Sequence, residues 1–321
     1  MAEKAYIPLV FIGGCPRSGT TLMKRTLDAY TQIYCGPEFG HVPAICDLYK
    51  NMKQGIVSGR LEPYSDVESL REYICDFMLK FFEPAMAQNN AQLFAEKTPD
   101  NVMHFCTLHE LFPQAKFIHV IRNPLDVVAF YMRVGERLSE RENSKSIIKS
   151  QIGFIEDILD LIKSVFPVRW RKENHQDQDS VFNSPLLAAQ HWKKQVFFPR
   201  RFKDVFSSNE FQDNYFEVKY EDIVTNSEGT VRKICDFIGV EFEIEMLALD
   251  RALNGDAVSF GGIFYNKQEY VQGITDTSIG RWEKSLTREA VCTILREVRH
   301  DLVRYGYMTN QEVEEILNAK F

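Results

Sequence analysis

The stretch from Pro8 to Tyr30, PLVFIGGCPRSGTTLMKRTLDAY, decides the fold. Pro8 to Ile12 is a short apolar run of the buried-strand kind. From Thr20 onward, Leu22, Met23, Leu27 and Tyr30 recur at helical spacing and predict a helix. Between them, Gly14-Cys15-Pro16-Arg17-Ser18-Gly19-Thr20-Thr21 forms the link. Strand, glycine-rich loop and helix in that order make a phosphate-binding loop, whose backbone N–H groups converge on an anion at the helix N-terminus. The helix dipole adds favourable potential there. A Walker A loop carries a lysine where this one has Thr20, so a triphosphate loses its usual β/γ contact. Arg17 instead supplies a planar guanidinium suited to bidentate oxyanion recognition.

Strands and helices continue to alternate outward from this loop. Asp66 to Phe82 reads as an amphipathic helix, with Ser65 and Glu68 spaced as a capping box and Pro84 as its stop. Leu93 to Lys97 is a short strand, Val102 to Leu111 a helix, and Lys116 to Ile121 a strong strand followed by a helix from about Leu125. Ile147 to Val165 and Leu186 to Phe198 fit helices, Tyr215 to Tyr220 a strand, and Glu228 to Ile238 and Arg288 to Tyr305 helices. Arg137 to Ser150 and Arg171 to Asn183 are polar and read as surface excursions. The alternation predicts an α/β fold, a central parallel sheet covered by helices on both faces. With no fixed-period repeat and no low-complexity linker, residues 1–321 read as one domain.

Composition narrows the function. The net charge of −7 offers no basic face for a nucleic acid. No run of ~18 apolar residues exists to span a membrane. The seven cysteines stand singly, without a CxxC pair, and point to a reduced, cytoplasmic compartment. His104, His109, His119, His175, His191 and His300 lack zinc-ligand spacing.

The segment GGCPRSGTTLM, followed by CGPEFGHVPAI, resembles the 5′-phosphosulfate loop of sulfotransferases that use 3′-phosphoadenosine 5′-phosphosulfate (PAPS). It looks most like the tyrosylprotein branch and its bacterial relatives. The resemblance implies a P-loop-type sheet and a 5′-phosphosulfate held by Arg17, Ser18, Gly19, Thr20 and Thr21. Arg122, closing the strand KFIHVI, matches the arginine that binds the 3′-phosphate, and Tyr220 in Tyr220-Glu221-Asp222 matches a tyrosine near the nucleotide. Thr277-Ser278-Ile279-Gly280-Arg281-Trp282 resembles the loop that closes over the nucleotide, with Ser278 and Arg281 as its contacts. Asp126 is placed to cap or orient the helix after Arg122. Without the resemblance, Arg122 reads as a surface ion pair and Tyr220 as a core residue.

The same resemblance implies the chemistry. Glu38 lies 21 residues beyond Arg17, at the spacing of the branch's catalytic glutamate. A carboxylate needs partial desolvation to act as a base near neutral pH, and Pro37 and Phe39 flank it. His41 is the alternative base. Lys97 matches the lysine that stabilises the leaving oxygen, shared with Arg17; read alone, it is a solvated lysine paired with Glu96. No metal is called for.

Two departures stand out. Phe130 occupies the place of a serine eight residues after Arg122, with Arg133 as a substitute ligand. Gly40 occupies the place of an arginine that reads acidic residues beside a target tyrosine. With the acidic net charge, this favours a soluble hydroxyl- or amine-bearing small molecule as acceptor over a peptide. The rival classes are a P-loop nucleotide or metabolite kinase, which Thr20 disfavours, and a non-catalytic nucleotide-binding module, which Glu38 and Lys97 disfavour. Nothing in the residues specifies an oligomeric state.

Overall fold

The computed structural model of the chain describes residues 7–148, 181–205, 212–249 and 274–319. Among the described residues, five strands form one sheet: β1 (Leu9–Gly13), β2 (Ile33–Tyr34), β3 (Leu93–Lys97), β4 (Lys116–Ile121) and β5 (Tyr215–Lys219). Their order is β2-β3-β1-β4-β5 and every pairing is parallel. In register, Ile12 of β1 lies between Lys97 of β3 and Ile118 of β4.

The side-chain period of two buries both faces of these strands. Leu9, Phe11, Phe94 and Phe117 enter one apolar cluster with α2 (Val42–Val57), α3 (Val67–Gln88) and α4 (Phe105–Leu111). Val10, Ile12, Ala95, Ile118 and Val120 enter the opposite cluster with α1 (Thr20–Asp28). Each large side chain so buried stabilises the fold by roughly 1.5–3 kcal/mol. A third cluster joins α5 (Pro124–Ile148) and α6 (Pro185–Val205). Further along lie α7 (Tyr220–Thr225), α8 (Ser227–Ile238), α9 (Glu245–Ala248), α10 (Trp282–Ser285), α11 (Arg288–Arg304) and α12 (Asn310–Asn318). Helices α11 and α12 complete the third cluster through Ile294, Leu295, Val298 and Val313.

Several elements differ from the sequence expectation. Helix α3 runs through Pro84 to Gln88 because that proline sits on its exposed side. Its N-cap is Asp66, whose carboxylate accepts from Ser69 N–H at 2.8 Å, while the Ser65 hydroxyl donates to the Asp66 carbonyl. The helix expected from Val102 begins as a 3₁₀ turn, Pro99–His104. Helix α5 carries on through Arg137 to Ile148, in the segment read from the sequence as a polar surface excursion. Tyr220 begins α7 and does not end a strand. Helices α2 and α12 and strand β2 lay outside the sequence reading. The expected helix after Ile148 and the polar segment 171–180 lie outside the described residues.

Candidate active site

Because the five strands are parallel, their C-terminal ends open on one edge of the sheet, where α/β folds bind ligands. Each end delivers one expected site residue. The loop after β1 carries Arg17, and the segment after β2 carries Glu38. Lys97 is the last residue of β3; Arg122 follows β4 and Tyr220 follows β5.

The loop after β1 is held by backbone contacts. Gly14 N–H donates to the Pro99 carbonyl at 2.9 Å, and Ser18 N–H to the Cys15 carbonyl at 2.9 Å. Gly19 has φ of 98°, and a Cβ there would meet the Tyr220 ring at 2.4 Å. Glycine therefore answers both a backbone demand and a close approach. No side chain caps α1 at Gly19, and the Ser18 hydroxyl is buried without a hydrogen-bond partner. Both leave donors at a helix N-terminus suited to an anion. Thr20 is buried and Thr21 half-buried in the first turn.

The two expected phosphate arginines each sit over an aromatic ring. Arg17, with φ of 74°, places its guanidinium carbon 4.0 Å from the Phe130 centroid. Arg122 lies 4.3 Å over Tyr220 and donates to the carbonyls of Arg17 at 3.1 Å and Ser278 at 2.5 Å. Its buried Nε has no partner. Phe130 is thus a platform for Arg17, where the sequence suggested only a lost serine. Arg133 stands 6.0 Å from the same ring and donates to the Ala129 carbonyl at 3.3 Å.

Ser278 reaches Arg122 through its backbone, while Arg281 Nε turns back to the Thr277 carbonyl at 2.8 Å. Asp126 does not cap α5; the Asn123 side chain accepts from Leu125 N–H at 3.0 Å instead. The Asp126 carboxylate accepts from Gly280 N–H at 3.0 Å and Trp282 N–H at 3.1 Å, holding the 278–282 loop beside Arg122. Trp192, not singled out in the sequence, and Glu221, noted there only as part of the Tyr220 motif, buttress the same corner. The first donates to the Arg122 carbonyl at 3.0 Å and the second accepts from Asn123 N–H at 2.9 Å.

On the other side, Lys97 is buried and its ammonium donates to the Glu38 carboxylate in an ion pair. The ion pair is thus with Glu38, where Lys97 read alone pairs with the adjacent Glu96. His41 is exposed at the start of α2, its ring edge-on to Phe39 at 5.6 Å. Burial lowers the pKa of His119 and of His191 to about 4, and burial raises the Cys15 thiol to about 12. At neutral pH both imidazoles are therefore neutral and only weakly basic, and Cys15 stays a thiol. Among the described residues, no three His, Cys, Asp or Glu side chains form a metal-holding group, and no helix is long and apolar enough to cross a membrane.

The fold has solved counterparts. The sulfotransferase domain of the Synechococcus PCC 7002 olefin synthase is 18% identical, with a TM-score of 0.51 over 92% of this chain and 96% of that one. The sulfotransferase domain of the curacin biosynthetic pathway is also 18% identical, with a TM-score of 0.52 over 92% and 99%. In sequence, protein-tyrosine sulfotransferase A of Caenorhabditis elegans is 23% identical over 308 residues, 94% of this chain and 68% of that protein. Human protein-tyrosine sulfotransferase 1 is 35% identical over 123 residues, 36% of this chain and only 32% of that protein. The model of the Sulfotransferase family matches residues 8–161 and 170–244, which take in the loops after all five strands. With strand order, anion loop and paired lysine and glutamate already in view, that match makes the chain an enzyme of the Sulfotransferase family.

Proposed function

We propose that the chain moves the sulfuryl group of PAPS to the phenolic hydroxyl of a tyrosyl peptide. The observation that carries the reading is the pairing of Glu38 with buried Lys97 at the strand ends flanking the Arg17 loop. Tyrosyl acceptors are supported by the names of the relatives matched in sequence. Gly40 and the acidic net charge favour a small hydroxyl- or amine-bearing molecule. The relatives weigh more, because the worm enzyme aligns over nearly the whole chain. Together these point to a tyrosine whose neighbours need not be acidic.

The groups present fit the donor. Ser18, Thr20, Thr21 and the α1 N-terminus would hold the 5′-phosphosulfate, and Arg122 with Ser278 the 3′-phosphate. Glu38 would take the phenolic proton as the acceptor oxygen bonds to sulfur and the sulfur–phosphate-oxygen bond breaks. Lys97 and Arg17 would stabilise charge on that departing oxygen, leaving 3′,5′-ADP and a protonated Glu38. Arg281 would join only if it left the Thr277 carbonyl. The same proposal takes 1–321 as one domain, supported by the apolar cluster tying α11 and α12 to α5 and α6. A cytoplasmic location belongs to it too, on the strength of seven free cysteines.

The test is transfer of labelled sulfuryl from PAPS to a tyrosyl peptide, a small phenol and a primary amine. Turnover of the peptide above the other two supports the reading. Turnover of the amine or small phenol alone would replace it with a metabolite acceptor.

A further inference from the structure

Glu96 takes no part in the transfer described above, yet its carboxylate is buried beside it. One of its oxygens accepts from Phe39 N–H at 3.3 Å and from the Thr98 hydroxyl at 2.7 Å. Thr98 in turn accepts from Gly40 N–H at 3.2 Å. These are the two backbone amides that follow Glu38. The other Glu96 oxygen accepts from the Asn101 amide, which also donates to the Ile12 carbonyl at 3.3 Å. Ile12 is the penultimate residue of β1, just before the anion loop. The carboxylate thus gathers three donors on two oxygens and links the segment bearing Glu38 to the root of the loop bearing Arg17.

We infer that Glu96 is a positioning residue: it fixes the reach of Glu38 toward the acceptor and the register of the Glu38 segment against the anion loop. The inference rests on Glu38 acting as the base. A glutamine at 96 keeps the shape but replaces one oxygen with an NH₂ that cannot accept. It must then face either Asn101 or the Phe39 and Thr98 donors with a donor of its own. A misplacement of about 1 Å at a reacting group can cost on the order of a hundred-fold in rate.

The tether is also sensitive to protons. Burial raises the Glu96 carboxyl to about 6 against the pull of the Asn101 and Thr98 hydrogen bonds. Facing it are the charges of Glu38 and Lys97, and the nearby Cys35 and Cys46 thiols, which burial keeps neutral. Because the folded-state value is raised, the contribution of Glu96 to stability is complete below the ordinary carboxylate range and is lost as pH rises through about 6. Positioning runs the other way, since the ionised form accepts all three donors. Lowering the pH through about 6 therefore reduces turnover while the Glu96 part of stability increases.

The experiment compares wild type, Glu96→Gln and Glu38→Gln in full pH profiles of kcat, with 3′,5′-ADP affinity measured by calorimetry. Glu96→Gln is expected to lower kcat by about ten- to a hundred-fold, shift the acid limb to lower pH, and leave nucleotide affinity within about two-fold. An unchanged kcat and limb, beside a collapsed Glu38→Gln, overturns the positioning role alone. An active Glu38→Gln overturns the base reading and this inference with it. Parallel losses of kcat, nucleotide affinity and Tm in Glu96→Gln would mark a merely structural carboxylate and also overturn the role. Should Glu96→Gln fail to fold, Thr98→Val must lose kcat several-fold and Thr98→Ser recover most of it; equal behaviour of the two sinks the proposal.

Discussion

The two sides of the strand-end cleft are built from different materials. The side formed by β1 and β4 holds its cations on aromatic rings, Arg17 over Phe130 and Arg122 over Tyr220. The side formed by β2 and β3 holds its cation with a carboxylate, Lys97 on Glu38. A cation over a ring keeps its full charge for an incoming anion, even where, as in Arg122, some of its N–H groups also meet backbone carbonyls. A cation in an ion pair is balanced until something changes, and its carboxylate is balanced with it. The first arrangement suits the binding of a multiply charged nucleotide. The second suits a step in which a proton arrives on the carboxylate just as negative charge develops near the ammonium.

The sharpest way to break this contrast is Glu38→Gln. We expect turnover to fall by about 10²–10⁴, the usual worth of a positioned base, with 3′,5′-ADP affinity nearly unchanged. Labelled-sulfuryl transfer beside calorimetry checks both halves. A large loss of nucleotide affinity would mean that the two sides are not separate. Arg122→Ala comes next. A hydrogen bond to a charged group contributes about 1.5–3 kcal/mol, so affinity for 3′,5′-ADP should drop about ten- to a hundred-fold while affinity for ADP changes little. Equal losses for the two nucleotides would show that Arg122 does not read a 3′-phosphate.

The contrast also explains what could be read from the chain alone. Arg17, Lys97, Arg122 and Tyr220 each sit within a few residues of a strand recognisable by its apolar pattern, and a parallel sheet brings strand ends together without further information. Glu38 follows β2, two residues long and with no periodic signal of its own, and was found only through the resemblance around it. The partner of Lys97 could not be read, because Glu38 lies 59 residues away on a loop that only the folded sheet brings to the end of β3. Phe130 and Asp126 were misjudged for a related reason. Both lie on α5, and their roles come from the Arg17 loop and the 278–282 loop packed against it. Pro84 misled because a proline on an exposed helical side need not end the helix.

Phe130→Ser tests the aromatic side by restoring the residue that the resemblance leads one to expect. If the ring seats Arg17, the serine variant should bind 3′,5′-ADP several-fold more weakly, since a cation over an aromatic face contributes about 0.5–2 kcal/mol. Equal or tighter binding would make Phe130 a mere replacement for a lost ligand. Phe130→Tyr should retain most of the affinity.

The smallest effect is expected where the acceptor side meets solvent. Phe39, next to Glu38, packs on Phe81 at 5.3 Å, and Phe81 on Phe77 at 5.4 Å. Phe77 and Phe81 are each 48% exposed, and Tyr73 lies one turn further along α3. This row of rings borders Glu38, and Arg71, Glu72, Asp76, Lys80 and Glu83 interleave with it along α3. On the proposed reading, an apolar flank of a tyrosyl peptide would find rings to cover there. Phe81→Ser should raise KM for a tyrosyl peptide with apolar neighbours about three- to ten-fold, as expected for part of a buried aromatic contact of about 0.5–1.5 kcal/mol. Its kcat and its affinity for 3′,5′-ADP should hold. A change in kcat instead would mean that Phe81 acts through Phe39 on the seat of Glu38, joining the row to the catalytic side of the contrast. An unchanged KM would confine acceptor recognition to the immediate surroundings of Glu38 and Lys97.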